Sequence, residues 1–418
     1  MQLIFFIFPF LGFYKGVKDF FSAKYRYGIL FFAFWFGYSV FQYSGDVTRY
    51  ASDFSFFAQY SWSDLWHLIV NFSDESLKFS FLKRTTYNSK PDIFAVTLGF
   101  LVSRFTENPR WFFAIVSVIY VYFILKFLDE VVRFTGKHNT KGWRIYFAAL
   151  VFIVPFYVGV TGIRFWPALF LFGIMLLRYF NTKEKKYIFY TLSAVLIHYT
   201  FIVPCLIAMI AVTVKVNRRI FKLLIFMGIV YVLLSSTTSS LDFIKNALSF
   251  FQNDTISNAT SGYVDEDSII KKSTNLATKN WYVVWRSNLI NAFFFSFFIL
   301  DFFRLNKWKE IKQNKSFETV YCFFFILALF TFNLGSLGRF VYLFYFLVII
   351  RILMYQAVNK NDEMIRLSYF FVPIMLLHII VSFRAGFYYV DPFLLISPSP
   401  ALLFVQSPVS LSEFLIGH

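Results

Sequence analysis

From Tyr27 to Gln42 the chain reads YGILFFAFWFGYSVFQ without a single charge, and similar apolar runs recur along most of its length. Runs of about 17 to 25 apolar residues cross a bilayer as helices, because a helix bonds its own backbone N–H and C=O groups where no water can. The runs predict spans at 1–13, 27–44, 111–128, 145–161, 164–181, 187–199, 201–214, 220–236, 282–303, 319–335, 340–357 and 367–383, about twelve passes. Composition agrees: 58% of residues are hydrophobic and 15% charged, against about 45–50% and about 25% in soluble domains. The expected fold is all-α, a polytopic integral membrane protein forming one domain over residues 1–418. The N-terminal MQLIFFIFPFLGFY lacks a basic region ahead of its apolar run and a small-residue cleavage site. It is read as a retained first helix.

Charge orients the passes. Six connecting segments, 14–26, 126–144, 178–187, 215–222, 304–318 and 351–366, hold 25 of the 40 Lys and Arg but 8 of the 23 Asp and Glu. Basic connecting loops face the cytoplasm, so the net charge of +17 calls for no nucleic-acid partner. Two segments follow from this orientation. DIFAVTLGFLVSRF, residues 92 to 105, is too short to span and is read as re-entrant or interfacial. YIFYTLSAVLIHYTFIVPCLIAMIAVTV is read as a short hairpin turning near His198 and Tyr199, which returns KVNRR to the cytoplasm.

The outer face then collects two long loops, 44–110 and 237–281, and the tail from Arg384. It also collects four polar features beside apolar helix ends: YSGDVTRY at residues 43 to 50, Arg164 in GVTGIRFWPALF, His198 in LIHYTF and Arg339 in NLGSLGRFVYLF. A charge beside a membrane helix end marks a pairing, a wet cavity or a site, or an arginine snorkelling to headgroups. Cys205 and Cys322 lie far apart in apolar runs and are read as inert core thiols. No metal cluster is expected. VDEDS, at 264 to 268, stands beside Lys271 and Lys272 and reads as a solvated loop.

SGDVTRY, GIRFWPAL and RYFNTKEKKYIFYTLSAVLIHYTFIVP, in this order over roughly residues 27 to 215, resemble the EpsG-like branch of the Wzy-type polysaccharide polymerases. The chain departs from the pattern in having Phe165 where a polar residue commonly follows the motif arginine, and Pro167 in the first helical turn. The resemblance implies a GT-C-like, metal-independent membrane glycosyltransferase without a cofactor, in the bacterial cytoplasmic membrane. It would transfer an oligosaccharide repeat unit from undecaprenyl pyrophosphate to a second lipid-linked unit at the outer face, in capsule or O-antigen biosynthesis. Its partners would be the lipid-linked donor and acceptor, the bilayer and a chain-length regulator.

Arginine suits a leaving pyrophosphate, since its guanidinium stays charged and binds phosphate oxygens at two points. Arg164 and Arg339 are assigned that role. Asp46 and His198 are the candidates to take the proton of an attacking hydroxyl; alternatively Asp46 pairs with Arg49 three residues on. Arg49, Tyr50, Tyr199 and Arg286 complete the expected substrate-binding set. Trp62, Trp66, Trp281 and Trp285 suit sugar stacking or interfacial anchoring. His67 falls in an amphipathic stretch, and His378 is assigned to packing. The alternatives are an O-antigen ligase, which shares the donor and differs in its acceptor, and a flippase, which should show two similar halves and broken helices at mid-membrane.

Overall fold

The computed structural model describes residues 6–40, 46–70, 93–138, 140–155, 157–214, 218–234, 280–304, 315–332, 335–358, 363–405 and 407–416. Among them the chain is helical throughout, with one isolated antiparallel bridge between Val40 and Val390. The acidic run VDEDS lies outside the described residues. Among the described residues five helices are long and apolar enough to cross a membrane, and several of the expected passes are shorter or interrupted.

The longest is α6 (Pro109–Thr135), for which we number α1 (Pro9–Lys18), α2 (Ala23–Tyr38), α3 (Asp46–Phe57), α4 (Trp62–Val70) and α5 (Ile93–Ser103) before it. Its ends are set locally. Asn108 caps the start through the Arg110 N–H at 3.0 Å, Pro109 occupies the first turn where its missing N–H costs nothing, and Gly136 closes the end at φ 79°. It packs against α2 on one side and α9 (Phe165–Thr182) on another. Between them stand α7 (Lys141–Phe152) and the single turn α8 (Val158–Thr161). The run expected to span 145–161 thus breaks after Ile153, since Pro155 has no N–H to continue the ladder.

After α9 the chain forms α10 (Lys186–Tyr190) and α11 (Ser193–Ile197), passes through extended backbone at His198, and enters α12 (Ile202–Thr213). The Cys205 thiol donates to the Thr191 carbonyl at 3.2 Å, so the chain doubles back at His198. Both cysteines are buried thiols. Then come α13 (Arg218–Leu234), α14 (Trp281–Arg304), α15 (Lys315–Thr331), α16 (Val341–Val358), α17 (Glu363–Ser368) and α18 (Phe371–Phe387).

α16 is the centre of the molecule. In its most apolar window 89% of residues are buried, against 28% for α14, whose outward side carries Leu300 and Phe303. Flat phenylalanines fill the space around α16: Phe298 stacks on Phe325 at 3.9 Å and Phe294 on Tyr345 at 4.3 Å. Such pairs add about 0.5–1.5 kcal/mol each beyond simple burial.

The expected first outer loop is helical where described. α3 lies against α5, α6 and α8, and Arg104 just past α5 fastens it. Its guanidinium donates to the Tyr60 carbonyl at 3.0 Å and to the Phe57 carbonyl, over the Phe100 ring at 4.4 Å. The last carbonyls of a helix have no partner of their own, so this arginine caps α3. At the other end of the chain, buried Asp391 accepts the Phe393 and Ser407 N–H groups at 2.9 and 3.1 Å and shapes the tail.

Candidate functional site

The bundle has two ends. One carries the basic connecting segments, and there the charges are matched. Buried Glu130 accepts from Arg178 Nε at 3.0 Å, Arg133 at 3.1 Å and Asn181 at 3.2 Å. Arg26 meets Asp129 at 2.6 Å. Deeper in the bundle Arg351 and Asp301, each 1% exposed, pair at 3.3 Å, and the Tyr355 hydroxyl donates to the same carboxylate. The opposite end holds the residues singled out from the sequence.

Arg164 precedes α9 and lies 5.7 Å over the Tyr50 ring. Arg339, exposed at the end of a 3-10 turn (Gly335–Phe340), lies 5.9 Å over the Phe165 ring. Phe165 also meets His198 at 5.9 Å, Phe201 at 5.3 Å and Phe340 at 5.5 Å. Tyr199 stands edge-on to His198 at 5.4 Å. One aromatic ring therefore joins α9, the hairpin turn and the entry to α16. His198 and Arg339, 141 positions apart, meet at that ring, and the Arg164–Tyr50 contact begins one residue before it.

The departures from the expected motif acquire a reason. The residue after the motif arginine is a phenylalanine because its ring forms the floor beneath Arg339 and the wall beside His198. Pro167 is the third residue of α9, within the turn whose N–H groups have no helical partner anyway. Gly162, two residues before Arg164, is required by close approach: a Cβ there would strike the Trp166 indole.

Asp46 is the first residue of α3 and Arg49 lies in its first turn; the side chains of both, and of His67, are outside the described residues. Tyr50 is buried on the same helix. Arg286 stands apart from the Phe165 cluster and joins it through Tyr342, which interacts electrostatically with both Arg286 and Arg339. The Arg286 Nε is buried and meets no hydrogen-bond acceptor among the described residues. Trp62, Trp66, Trp281 and Trp285 are all exposed, as sugar stacking and membrane anchoring both require. Among the described residues no three His, Cys, Asp or Glu gather as a metal site would need.

Sequence reasoning missed Phe165 as a platform, and Tyr342. Tyr342 follows Arg339 by three residues, so a helical reading of GRFVY would have placed the two side by side. Nothing in the sequence marks Phe165 among 63 phenylalanines.

A model of the EpsG family matches residues 24–391. The match reaches well beyond residues 27 to 215, where the motifs lie, and takes in Arg286 and Arg339. No curated protein and no solved structure matches the chain.

Proposed function

The chain belongs to the EpsG family, and on that premise we propose that it is a membrane glycosyltransferase that polymerises lipid-linked oligosaccharide repeat units. The donor in this reading is an undecaprenyl-pyrophosphate-linked oligosaccharide, and the acceptor a second lipid-linked unit at the outer face of the bacterial cytoplasmic membrane. The passes number about twelve and the architecture is GT-C-like. The observation that carries the reading is the meeting of Arg339 and His198 at Phe165, the residue that follows Arg164, at the bundle end away from the basic segments.

The chemistry fits a pyrophosphate leaving group. Arg339 lies over the Phe165 ring and Arg164 over the Tyr50 ring, and both carry permanent positive charge for a leaving pyrophosphate. A cation over a ring gains about 0.5–1 kcal/mol when exposed and more when dry, which holds each arginine in place without neutralising it. As the bond from the anomeric carbon to the phosphate oxygen breaks, negative charge grows on the leaving group and the arginines stabilise it. Asp46 or His198 takes the acceptor proton, while Arg49, Tyr50, Tyr199 and Arg286 bind substrate. A chain-length regulator is a proposed partner. Transfer to a different acceptor, as by an O-antigen ligase or another lipid-linked glycosyltransferase, is the second reading, since it uses the same donor and the same arginines.

Two experiments test this. Gln59→Cys should label with a membrane-impermeant thiol reagent in intact spheroplasts, and Lys137→Cys only after lysis, in a background with Cys205 and Cys322 replaced by alanine. The reverse pattern overturns the outer-face site. Reconstituted protein given undecaprenyl-pyrophosphate-linked oligosaccharide should yield products of several repeat units. Products confined to one transferred unit would favour the ligase.

A further inference from the structure

The side of α18 that carries His378, Ser382 and Gly386, spaced one turn apart and all buried, faces the break between α7 and α8. His378 Nε2 lies 3.1 Å from the Ile153 carbonyl, the carbonyl that the break frees from its own ladder. Tyr157 packs over Gly386 and stacks on Tyr389 at 5.4 Å. From the adjacent α14, Arg286 reaches the same place, within electrostatic range of His378, Tyr157 and Tyr342.

Three polar atoms here are buried and lack a hydrogen-bond partner among the described residues: Arg286 Nε, His378 Nδ1 and Ser382 Oγ. His378 itself is only 3% exposed. Each such atom costs free energy unless a ligand or water meets it, and with Ser382 one turn from His378 and Arg286 in electrostatic range of that histidine, the three mark a place built to be filled.

The donor pattern says by what. A carbonyl only accepts, so His378 Nε2 carries the hydrogen and Nδ1 presents a lone pair. Arg286 Nε only donates, and the Ser382 hydroxyl does either. An ionised phosphate oxygen has no proton to offer Nδ1 and would face its lone pair. An alcohol satisfies both, accepting from Arg286 and donating to His378.

We propose that Arg286, His378 and Ser382 form a subsite for a sugar hydroxyl of the acceptor, with His378 Nδ1 as the atom that takes its proton. This rests on the polymerase reading above and replaces Asp46 and His198 in that one role. The hydroxyl oxygen forms its bond to the anomeric carbon as its proton passes to Nδ1. The bond from that carbon to the pyrophosphate oxygen breaks, and its electron pair leaves with the pyrophosphate. The imidazolium keeps its Nε2–H on the Ile153 carbonyl and returns its extra proton to water before the next cycle.

The test uses the full-length protein reconstituted in liposomes with undecaprenyl-pyrophosphate-linked oligosaccharide extracted from the source cells. In His378→Gln the amide N–H can keep the bond to Ile153 and the amide oxygen can still accept from a hydroxyl, but nothing there holds the transferred proton. Its kcat should fall by about a hundredfold or more, the usual range for a lost general base, with KM for the acceptor changed little. Ser382→Ala should instead raise that KM roughly fivefold, as loss of one neutral hydrogen bond does. If the wild type polymerises and His378→Gln keeps its kcat, His378 is a packing residue and the inference fails alone. If the wild type does not act on this substrate, the polymerase reading fails with it. Should His378→Gln not accumulate, an unchanged KM in Ser382→Ala overturns the subsite.

Discussion

Arg351 and Arg286 stand on neighbouring helices, α16 and α14, and differ in what meets them. Arg351 is 1% exposed and paired with Asp301 at 3.3 Å, with Glu318 at 3.9 Å beyond. Arg286 forms no ion pair among the described residues, and its buried Nε waits without an acceptor. The same contrast separates the ends of the bundle: Glu130 collects Arg133, Arg178 and Asn181 at the basic end, while Arg339 rests on a phenylalanine at the other. A structural charge inside a membrane protein is neutralised by the fold itself. Arg286 and Arg339 form no ion pair among the described residues, which leaves their charge to be met by a ligand.

Removing one member of the matched set should therefore have the largest effect, and on folding. Asp301→Ala leaves the Arg351 charge buried with its main carboxylate gone, a change worth about 3–5 kcal/mol when a buried pair is broken. The variant should accumulate poorly and unfold at a lower temperature in detergent, whereas Asp301→Leu combined with Arg351→Met should recover most of the loss. Wild-type stability in Asp301→Ala would dissolve the contrast.

Next in size come the two arginines seated over aromatic rings near the hairpin turn, with the effect on activity. Arg339→Lys and Arg164→Lys keep the charge and lose the planar fork. A charge-assisted hydrogen bond contributes about 1.5–3 kcal/mol, roughly a ten- to hundredfold loss of rate if realised in the transition state. Polymer length on a gel should drop toward single repeat units at unchanged protein level, and Asp46→Asn should do the same if the acid of α3 shares the site. A melting temperature that falls with activity would instead make these arginines structural.

Phe165→Leu separates the platform from the charge. Losing a cation–ring contact of about 0.5–1 kcal/mol should lower the rate per folded molecule only a few-fold, through poorer placement of Arg339. A loss as large as that of Arg339→Lys would give the ring a direct part in binding substrate. Smallest of all, Lys186→Ala removes an exposed partner of Glu184 and should leave both melting temperature and polymer length unchanged, since solvent screens such pairs.

Much of the site was legible before folding. Arg164 and Arg339 stand out because an isolated charge at the mouth of an apolar run is rare, and His198 because a hairpin must turn where the polar residues are. His378 was assigned to packing for the same kind of reason. It lies within an apolar run, and no sequence pattern shows that Ile153, 225 positions away, would take one ring nitrogen and leave the other bare. The break in α7 was half visible: Pro155 marks it, yet the surrounding residues are apolar enough to read as one span.

Apolar runs, taken alone, determined that the chain is helical and membrane-embedded, because in lipid a backbone must bond to itself and a helix does so within one segment. Local residues also fixed several helix ends, as Asn108 and Gly136 do for α6. Only the tertiary structure decided which charges are neutralised. Asp301 and Arg351 are 50 residues apart, and Phe165 meets His198 and Phe201 from one distant segment and Arg339 and Phe340 from another. Helical periodicity records which side of a helix a residue occupies, not what stands opposite. Pairing is a property of the packed bundle, and it separates an arginine that holds the fold from one set out for a ligand.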